Sequence, residues 1–533
     1  MTPKVYTFPH RILAIVALAL SLCAGTSFGQ VGNATVVGRV LDSGGAVIIG
    51  AQIEMRRLST NQVFRTVTTG SGDYSLVNIP IDTYELRASS AGFKTEVQTG
   101  VKLQVGSTPR IDFRLQVGAI TESVEVVAVA PILKTETPEF GQVIDQSKII
   151  GLPLNSRDIL GTLGSMTPGL APARGTPGGS GANFNVRGQR AADNVVLMDG
   201  SFVSQGNAAI TFFANPDSIQ EFEIKTGLYG AEYGVKPGGQ FIMITKSGTN
   251  QPHGTLFEQL RNNALDARNF FDRGKRPPFK RNQFGGVFGA PIYIPKVFNG
   301  KDRAWFFFSY SGERIRQFTS ATGVVPTAAQ KTGLFATAIT DPLTRLPFPG
   351  NQIPTSRIDP IAQKLLGFWP DPNTPGNLNF TSPNSSAPTN NDQFIAKVDF
   401  KVTDNDRWSA RFLKDNSPIT RTNAIQAFFR VDPLSSYSQS VTNTRTFKSR
   451  IVNEFSAGWF RRPYYAGFQS SSPGYGKTLG IANFPISPTD VNGVPVISVV
   501  GLLGLGDGNN SGPSITGNWE VRDNVSFNSG AHS

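Results

Sequence analysis

The chain has 533 residues and a formal net charge of +12, with only 17% of its residues charged. Its length calls for several domains, since one domain ordinarily takes about 100 to 200 residues. The 56 Gly and 36 Pro favour turn-rich β structure over helical bundles, and 38 Phe exclude a wholly disordered chain.

Residues 1–29 read as a signal peptide. Lys4, His10 and Arg11 precede an apolar run from Ile12 to Leu22, and Ser27 and Gly29 are the small residues a signal peptidase reads, which puts cleavage before Gln30. The run of about eleven residues is too short for a spanning helix, which takes about 20. Acylation at Cys23 is the other processing route, but Leu22 stands where Gly or Ala is expected. No later run reaches the apolar length of a membrane helix; VPVISVVGLLGLG (494–506) is short and broken by glycine.

From residue 30 to 117, short β-branched runs alternate with glycine turns: TVVGRVLD, GAQIEMRRL, VFRTVTT, GDYSLVNIP, TYELRASSAGF, VKLQV and RIDFRLQV. These predict a compact antiparallel sandwich of seven strands, Ig-like in build. Tyr74 and Tyr84 read as core or corner tyrosines, with ligand stacking as the other role. GRVLDSGGAVIIGAQIEM (38–55) followed by TTGSGDYSLVNIPIDTYELRASSAGF (68–93) resembles the carboxypeptidase regulatory-like domain, of carbohydrate-binding-like fold. Gly70 and Asp82 depart from that pattern at turns. The domain has no histidine, hence no zinc-binding pair, and reads as an accessory module.

Residues 118–131 form a proline-ended linker. Within it Glu122, Ser123, Val124, Glu125, Val126, Val127 and Ala128 alternate polar and β-branched residues, so the segment could be a strand of the sandwich or add to another protein's sheet edge. A proline at Val124 or Val126 is expected to abolish such strand addition by removing a backbone donor.

Residues 132–250 carry the strand-like segments NFNVRGQR, NVVLMDGSFV, IQEFEIKTG and GGQFIMITKSGTN, with Asp199-Gly200 as a tight-turn pair. The pair Arg187-Gly188, the Asp199-Gly200 turn, AEYG at 231–234 and the ending Thr245-Lys246-Ser247-Gly248 together resemble the α+β plug domain of TonB-dependent outer-membrane receptors. With a sandwich ahead of the plug, the chain is similar to their Oar-like subgroup. The resemblance implies that Glu122–Ala128 is a TonB box, the segment gripped by a TonB-type energy-transducing protein.

In NDQFIAKVDFKV (391–402), Phe394, Ala396, Val398, Phe400 and Val402 share one face, while Gln393, Lys397, Asp399 and Lys401 share the other. NDRWSARF continues this beyond the short turn Asp404-Asn405-Asp406, with Trp408, Ala410 and Phe412 outward and Arg407, Ser409 and Arg411 inward. Period two with an apolar outside is the pattern of a transmembrane antiparallel β-barrel facing outer-membrane lipid. A soluble sandwich would alternate similarly. About eight such strands are legible in 251–533, with 317–390 and 463–516 as polar outer loops. The resemblance implies about 22 strands, so 251–533 is expected to be the first part of a barrel continuing beyond Ser533. Gly530-Ala531-His532-Ser533 also lacks the aromatic end expected of such barrels.

The chemistry of catalysis is missing from the text. Cys23, His10, His253 and His532 are too scattered for a metal site, and GKT at 476–478 lacks the phosphate-loop glycine five positions before Gly476, where Ser471 stands. No metal, cofactor or catalytic residue is expected. The 30 Lys and Arg of residues 251–533 are interspersed with 19 acids, which argues against nucleic acid. The expectation is a receptor of the outer membrane importing a small molecule, glycan or peptide by energised plug displacement. The alternative is a surface adhesin or structural protein with a carbohydrate-binding sandwich and no transport.

Overall fold

The computed structural model describes residues 32–127, 139–151, 157, 167–172, 184–203, 214–230, 236–267, 278–319, 322–382, 385–421, 425, 430–432, 434–447, 451–464, 467–468, 479–480, 496–506 and 514–527. The signal-peptide segment, Ala128, the AEYG segment and the GKT segment lie outside the described residues.

The first unit is a two-sheet sandwich. One sheet holds β1 (Ala34–Asp42) between β4 (Asp73–Ile79) and β7 (Phe113–Leu115), in the order β4-β1-β7. The other holds β2 (Gln52–Arg57), β3 (Val63–Val67), β5 (Thr83–Ser89), β6 (Thr95–Lys102) and β8 (Ser123–Val127), in the order β3-β2-β5-β6-β8. Alternate residues face inward, so Val36, Val40, Ile53, Met55, Leu86 and Phe113 close one core. Both tyrosines belong to it. The Tyr74 hydroxyl donates to the Ile111 carbonyl at 2.6 Å, and the Tyr84 hydroxyl donates to the Pro80 carbonyl, four residues back, at 2.7 Å. Gly38 makes the first bond possible: a Cβ there would fall 1.8 Å from the Ile111 carbonyl oxygen. Seven strands were expected; the eighth, β8, is the linker segment.

The second unit is a mixed sheet of β9 (Phe140–Asp145), β12 (Val195–Met198), β13 (Ser201–Phe202), β14 (Ile219–Gly227) and β15 (Gln240–Thr245), in the order β13-β12-β15-β14-β9. A helix, α1 (Gln146–Gly151), follows β9, and β10 (Leu170–Pro172) pairs with β11 (Phe184–Val186) beside the sheet. β12 and β15 run parallel and every residue in them is buried, the pattern of strands covered on both faces. One face packs Val196, Met198, Phe222, Ile224 and Phe241 against Ile395 and Leu413 of the third unit. The opposite face packs Val195, Leu197, Ile242 and Ile244 against Ile81 and Val105 of the sandwich.

The third unit is one antiparallel sheet of eight strands paired in chain order: β16 (His253–Asn262), β17 (Phe279–Pro291), β18 (Ala304–Thr319), β19 (Ser385–Thr403), β20 (Asp406–Asn416), β21 (Ser435–Phe447), β22 (Ile451–Tyr464) and β23 (Ser514–Phe527). Phe394, Val398, Trp408 and Phe412 are exposed on its outer face, whereas Gln393, Lys397 and Arg411 are buried on the inner face against the plug-like sheet. The inner face also buries Trp305, Phe307, Ile395 and Leu413, apolar side chains at lumen positions, the last two because the core of the second unit covers them. Among the described residues no helix is long and apolar enough to cross a membrane, which says nothing of strands.

The two ends of this sheet differ. At one end the turns are short, as between Thr403 and Asp406, and there the sandwich docks. Arg407 lies 4.4 Å over the Phe64 ring, Asn61 Nδ2 donates to Asp302 Oδ1 at 3.1 Å, and Asn33 Nδ2 donates to Glu454 Oε2 at 3.2 Å. At the other end, the loop expected to be merely polar has an apolar centre of its own. Val325, Trp369 and Phe380 pack with Leu505 from the later loop, and the Trp369 indole donates to the Leu503 carbonyl at 2.7 Å.

Candidate functional site

The Asp199-Gly200 turn joins β12 to β13 with φ of 46° and 79°, the left-handed pair a two-residue hairpin requires. This turn drives Asp199 into the inner wall of the eight-stranded sheet. Its carboxylate lies 3.6 Å from Lys397 Nζ and 3.5 Å from Arg411 Nε, and accepts from the Thr245 backbone N–H at 2.9 Å and its hydroxyl at 2.7 Å. Burial alone would raise this carboxyl, but the two cations and the Thr245 bonds outweigh it and hold Asp199 below the usual carboxylate range. Around it, Arg522 donates to the Gly200 carbonyl at 2.9 Å, and Glu520, itself bonded to Arg522, accepts from the Phe202 N–H at 3.0 Å. At the next contact, the Asn215 N–H donates to Gln393 Oε1 at 3.0 Å. Gly458 lets β13 approach the wall, since a Cβ there would meet Ser201 Oγ at 2.8 Å.

A second cluster holds the edge strand β9. Arg187, at φ 47° with Gly188 at 82°, places its guanidinium 4.6 Å over the Phe140 ring and against Gly227. One residue earlier, Glu139 pairs with the buried Lys225 at 2.6 Å. β9 follows β8 in the chain across residues 128–139.

Where sandwich, plug-like sheet and barrel-like sheet meet, a cavity of about 150 Å³ is lined by Arg57, Asp199, Lys397, Asp399, Arg407 and Glu454. Among the described residues no group of three or more His, Cys, Asp or Glu side chains could hold a metal ion.

Residues 244–533, more than half of the chain, match the outer membrane beta barrel domain family. Residues 134–239 match the TonB-dependent receptor plug domain, and 35–116 match the carboxypeptidase regulatory-like domain. The chain belongs to the TonB-dependent outer-membrane receptors.

The receptor is 27% identical over 315 residues to the TonB-dependent transporter Oar of Myxococcus xanthus, a match covering 56% of this chain and 28% of that protein. Among solved structures, it is similar to the outer membrane transporter YddB from Escherichia coli, with 11% identity, a TM-score of 0.46, and coverage of 73% of this chain and 45% of that one. It is also similar to the siderophore receptor PirA from Acinetobacter baumannii, with 13% identity, a TM-score of 0.38, and coverage of 61% and 40%. The chain therefore spans less than half the length of these relatives. Its place is the cell outer membrane.

Within this receptor the expected motif residues do not form one site. Arg187-Gly188 serves the β9 clamp, and Asp199-Gly200 serves the wall anchor. The linker residues Glu122–Val127 lie apart, on the sandwich. The parallel register Thr95↔Ser123 through Thr99↔Val127, with the Thr95 N–H donating to the Glu122 carbonyl at 2.8 Å, fixes the phase of β8 on β6. In a parallel ladder alternate residues face the same neighbour. The Val124 and Val126 N–H groups consequently face β6, and those of Ser123, Glu125 and Val127 face the open edge, which corrects the expectation that the valines supply free donors. The wall partners Lys397 and Arg411 were legible as inward cations, but nothing local named Asp199 as their partner. Lys225 and Glu139 carried no signal beyond an alternating strand.

Proposed function

We propose that this receptor imports a ligand across the outer membrane when a TonB-type transducer grips Glu122–Ala128 and its pull displaces the plug. The observation that carries this reading is the place of β9: it is the edge strand of the plug sheet and, among the described residues, the first plug element reached from β8. A pull arriving through residues 128–138 meets the Glu139–Lys225 pair and the Phe140–Arg187 contact first, then peels β9 from β14 one residue pair at a time. The remaining plug is held to the wall by apolar packing on Ile395 and Leu413 and by charges and hydrogen bonds around Asp199, and water can replace the polar contacts as the wall opens. The ligand, a small molecule, glycan or peptide, enters from the long-loop end, where residues 322–382 and 496–506 pack into one apolar-centred unit. The division into sandwich (30–117), box linker (118–131), plug (132–250) and barrel (251–533) belongs to the same reading.

The test is a photocrosslinking residue at Glu125 in intact, energised cells. The expected result is an adduct with the transducer. A receptor correctly placed in the outer membrane that gives no adduct would favour a non-transporting, adhesive role.

A further inference from the structure

We infer that the sandwich is a stopper seated in the short-turn end of the barrel-like sheet: the plug sheet cannot leave the wall until the sandwich lifts from that seat. This rests on the import reading above, and adds what must move before the plug does.

Each face of the plug sheet is held by a different body. Ile395 and Leu413 of the wall pack on one, and Ile81 and Val105 of the sandwich pack on the other, over Val195, Leu197, Ile242 and Ile244. Polar contacts fix the sandwich on its side. Glu221 accepts from the Val105 N–H at 2.7 Å, Gln220 Nε2 donates to the Ile81 carbonyl at 3.2 Å, and Lys102 pairs with Asp145 of β9 at 3.1 Å. Peeling β9 frees one edge of the sheet, but β14, β15 and β12 still stand between wall and sandwich.

The sandwich also straddles the wall's end. Its contacts run from Asp302, in the turn between β17 and β18, through Arg407 on β20 to Glu454 on β22. β18 and β22 lie four strand spacings apart in the sheet, about 19 Å. At the first contact Asn250, between plug and β16, knots all three units together. Its N–H donates to the Ser59 carbonyl of the sandwich at 3.0 Å, and its side-chain oxygen accepts from the Asp302 N–H and the Trp305 indole, both at 2.9 Å. Asn61 and Asp302, at φ of 55° and 64°, are turn tips that meet directly beside this knot.

The seat is polar where the three units converge, and this lets it open. Thr60, Asp399 and Arg407 line the cavity there, and Thr60 Oγ1, Asp399 Oδ2 and Arg407 Nη1 are buried with no hydrogen-bond partner among the described residues. Water reaching them as the sandwich lifts satisfies all three, so lifting recovers part of what seating costs. Polar interfaces between domains of one chain are the ones that separate.

The experiment compares plug opening with the sandwich tied down and free. The receptor carrying Cys23→Ser, Asn61→Cys and Asp302→Cys is purified in detergent, and the two turn tips are joined by a short bis-maleimide. The same chain capped with a mono-maleimide is the reference. Amide hydrogen exchange in the β12–β15 and β14–β15 ladders is followed by mass spectrometry. The expected result is exchange at least about fivefold slower in the joined form, because plug opening then waits on a sandwich that cannot lift. A smaller difference overturns the proposal, since the plug opens behind a seated sandwich. In the chain without the cysteine pair, Asn250→Ala removes the side-chain bonds to Asp302 and Trp305 and should speed exchange in the same ladders at least about threefold. Unchanged exchange there also overturns it. No transducer enters these measurements, so failure of the import reading at the Glu125 adduct and failure of the stopper are separate outcomes.

Discussion

Arg187 covers Phe140: the guanidinium lies 4.6 Å from the centre of the ring, joining the plug motif to the first residue of the edge strand β9. Both the left-handed backbone at Arg187 and the bare surface of Gly227 are needed for this, because a Cβ at Gly227 would meet Arg187 Nη1 at 2.9 Å. A cation over an aromatic face contributes about 0.5 to 1 kcal/mol at a partly exposed site. Arg187→Ala should therefore speed hydrogen exchange of the β9–β14 amides by roughly two- to fivefold while leaving β12–β15 unchanged. Unaltered β9 exchange would show that the contact does not restrain the strand.

Gly38 and Tyr74 supply a second prediction, about the sandwich. Gly38→Ala drives a methyl into the Ile111 carbonyl and the Tyr74 ring, with contacts of 1.8 and 2.7 Å before relaxation. Overpacking against backbone costs about 3 kcal/mol. Tyr74→Phe removes only the donor to Ile111, about 1 to 3 kcal/mol. Limited proteolysis of the whole receptor should find the sandwich most labile in Gly38→Ala, less so in Tyr74→Phe, and intact in the parent. The reverse order would mean that the site relaxes without strain.

How far the text could be read depended on whether the decisive contact was local. The alternation of Phe394, Val398 and Val402 against Gln393, Lys397 and Lys401 reports lipid on one side and lumen on the other, and period two fixes it without a partner. Asp199-Gly200 is legible because a two-residue hairpin demands left-handed backbone. The apolar lumen positions Ile395 and Leu413 break the pattern only because the plug core reaches them. Likewise, the pairing of β8 with β6 joins residues across a parallel ladder, and no turn chemistry specifies such a partner. The apolar centre of the long loops is not legible either, since Trp369 and Leu505 are far apart in sequence.

Glu221 gives the docking of sandwich on plug a pH dependence. Burial, with the charges of Glu223 and Asp145, pushes its carboxyl up to about 7 against the pull of the Val105 N–H and Lys102. A carboxyl raised in the folded state stabilises it fully below the unfolded value near 4.5, and that contribution is lost as pH rises through about 7. The full loss is of the order of 3 kcal/mol. Relative to Glu221→Gln, the parent receptor should lose thermal stability between pH 4.5 and 7 and run parallel to it above. Asp145, held at about 2, titrates below this window. Parallel curves for parent and variant across the window would remove Glu221 from the interface energetics.

The wall anchor yields the sharpest test, because its parts can be removed separately. Asp199→Asn keeps the shape and an acceptor for Thr245, but leaves Lys397 and Arg411 buried without their counter-charge. Breaking a buried ion pair from one side costs about 3 to 5 kcal/mol, whereas replacing all partners by apolar groups is often near neutral. Asp199→Asn should thus loosen the β12–β13 hairpin, seen as faster amide exchange there and as raised sensitivity of cells to vancomycin. Adding Lys397→Met and Arg411→Met should recover a large part of both effects, although neither substitution restores a contact to Asn at 199. Recovery of that kind identifies the cost as stranded charge. If the triple variant is as loose as or looser than Asp199→Asn, the hairpin is held by the specific contacts of Lys397 and Arg411 and not by charge balance. No change in Asp199→Asn at all would place the hold of the plug on Gln393, Glu520 and Arg522 instead.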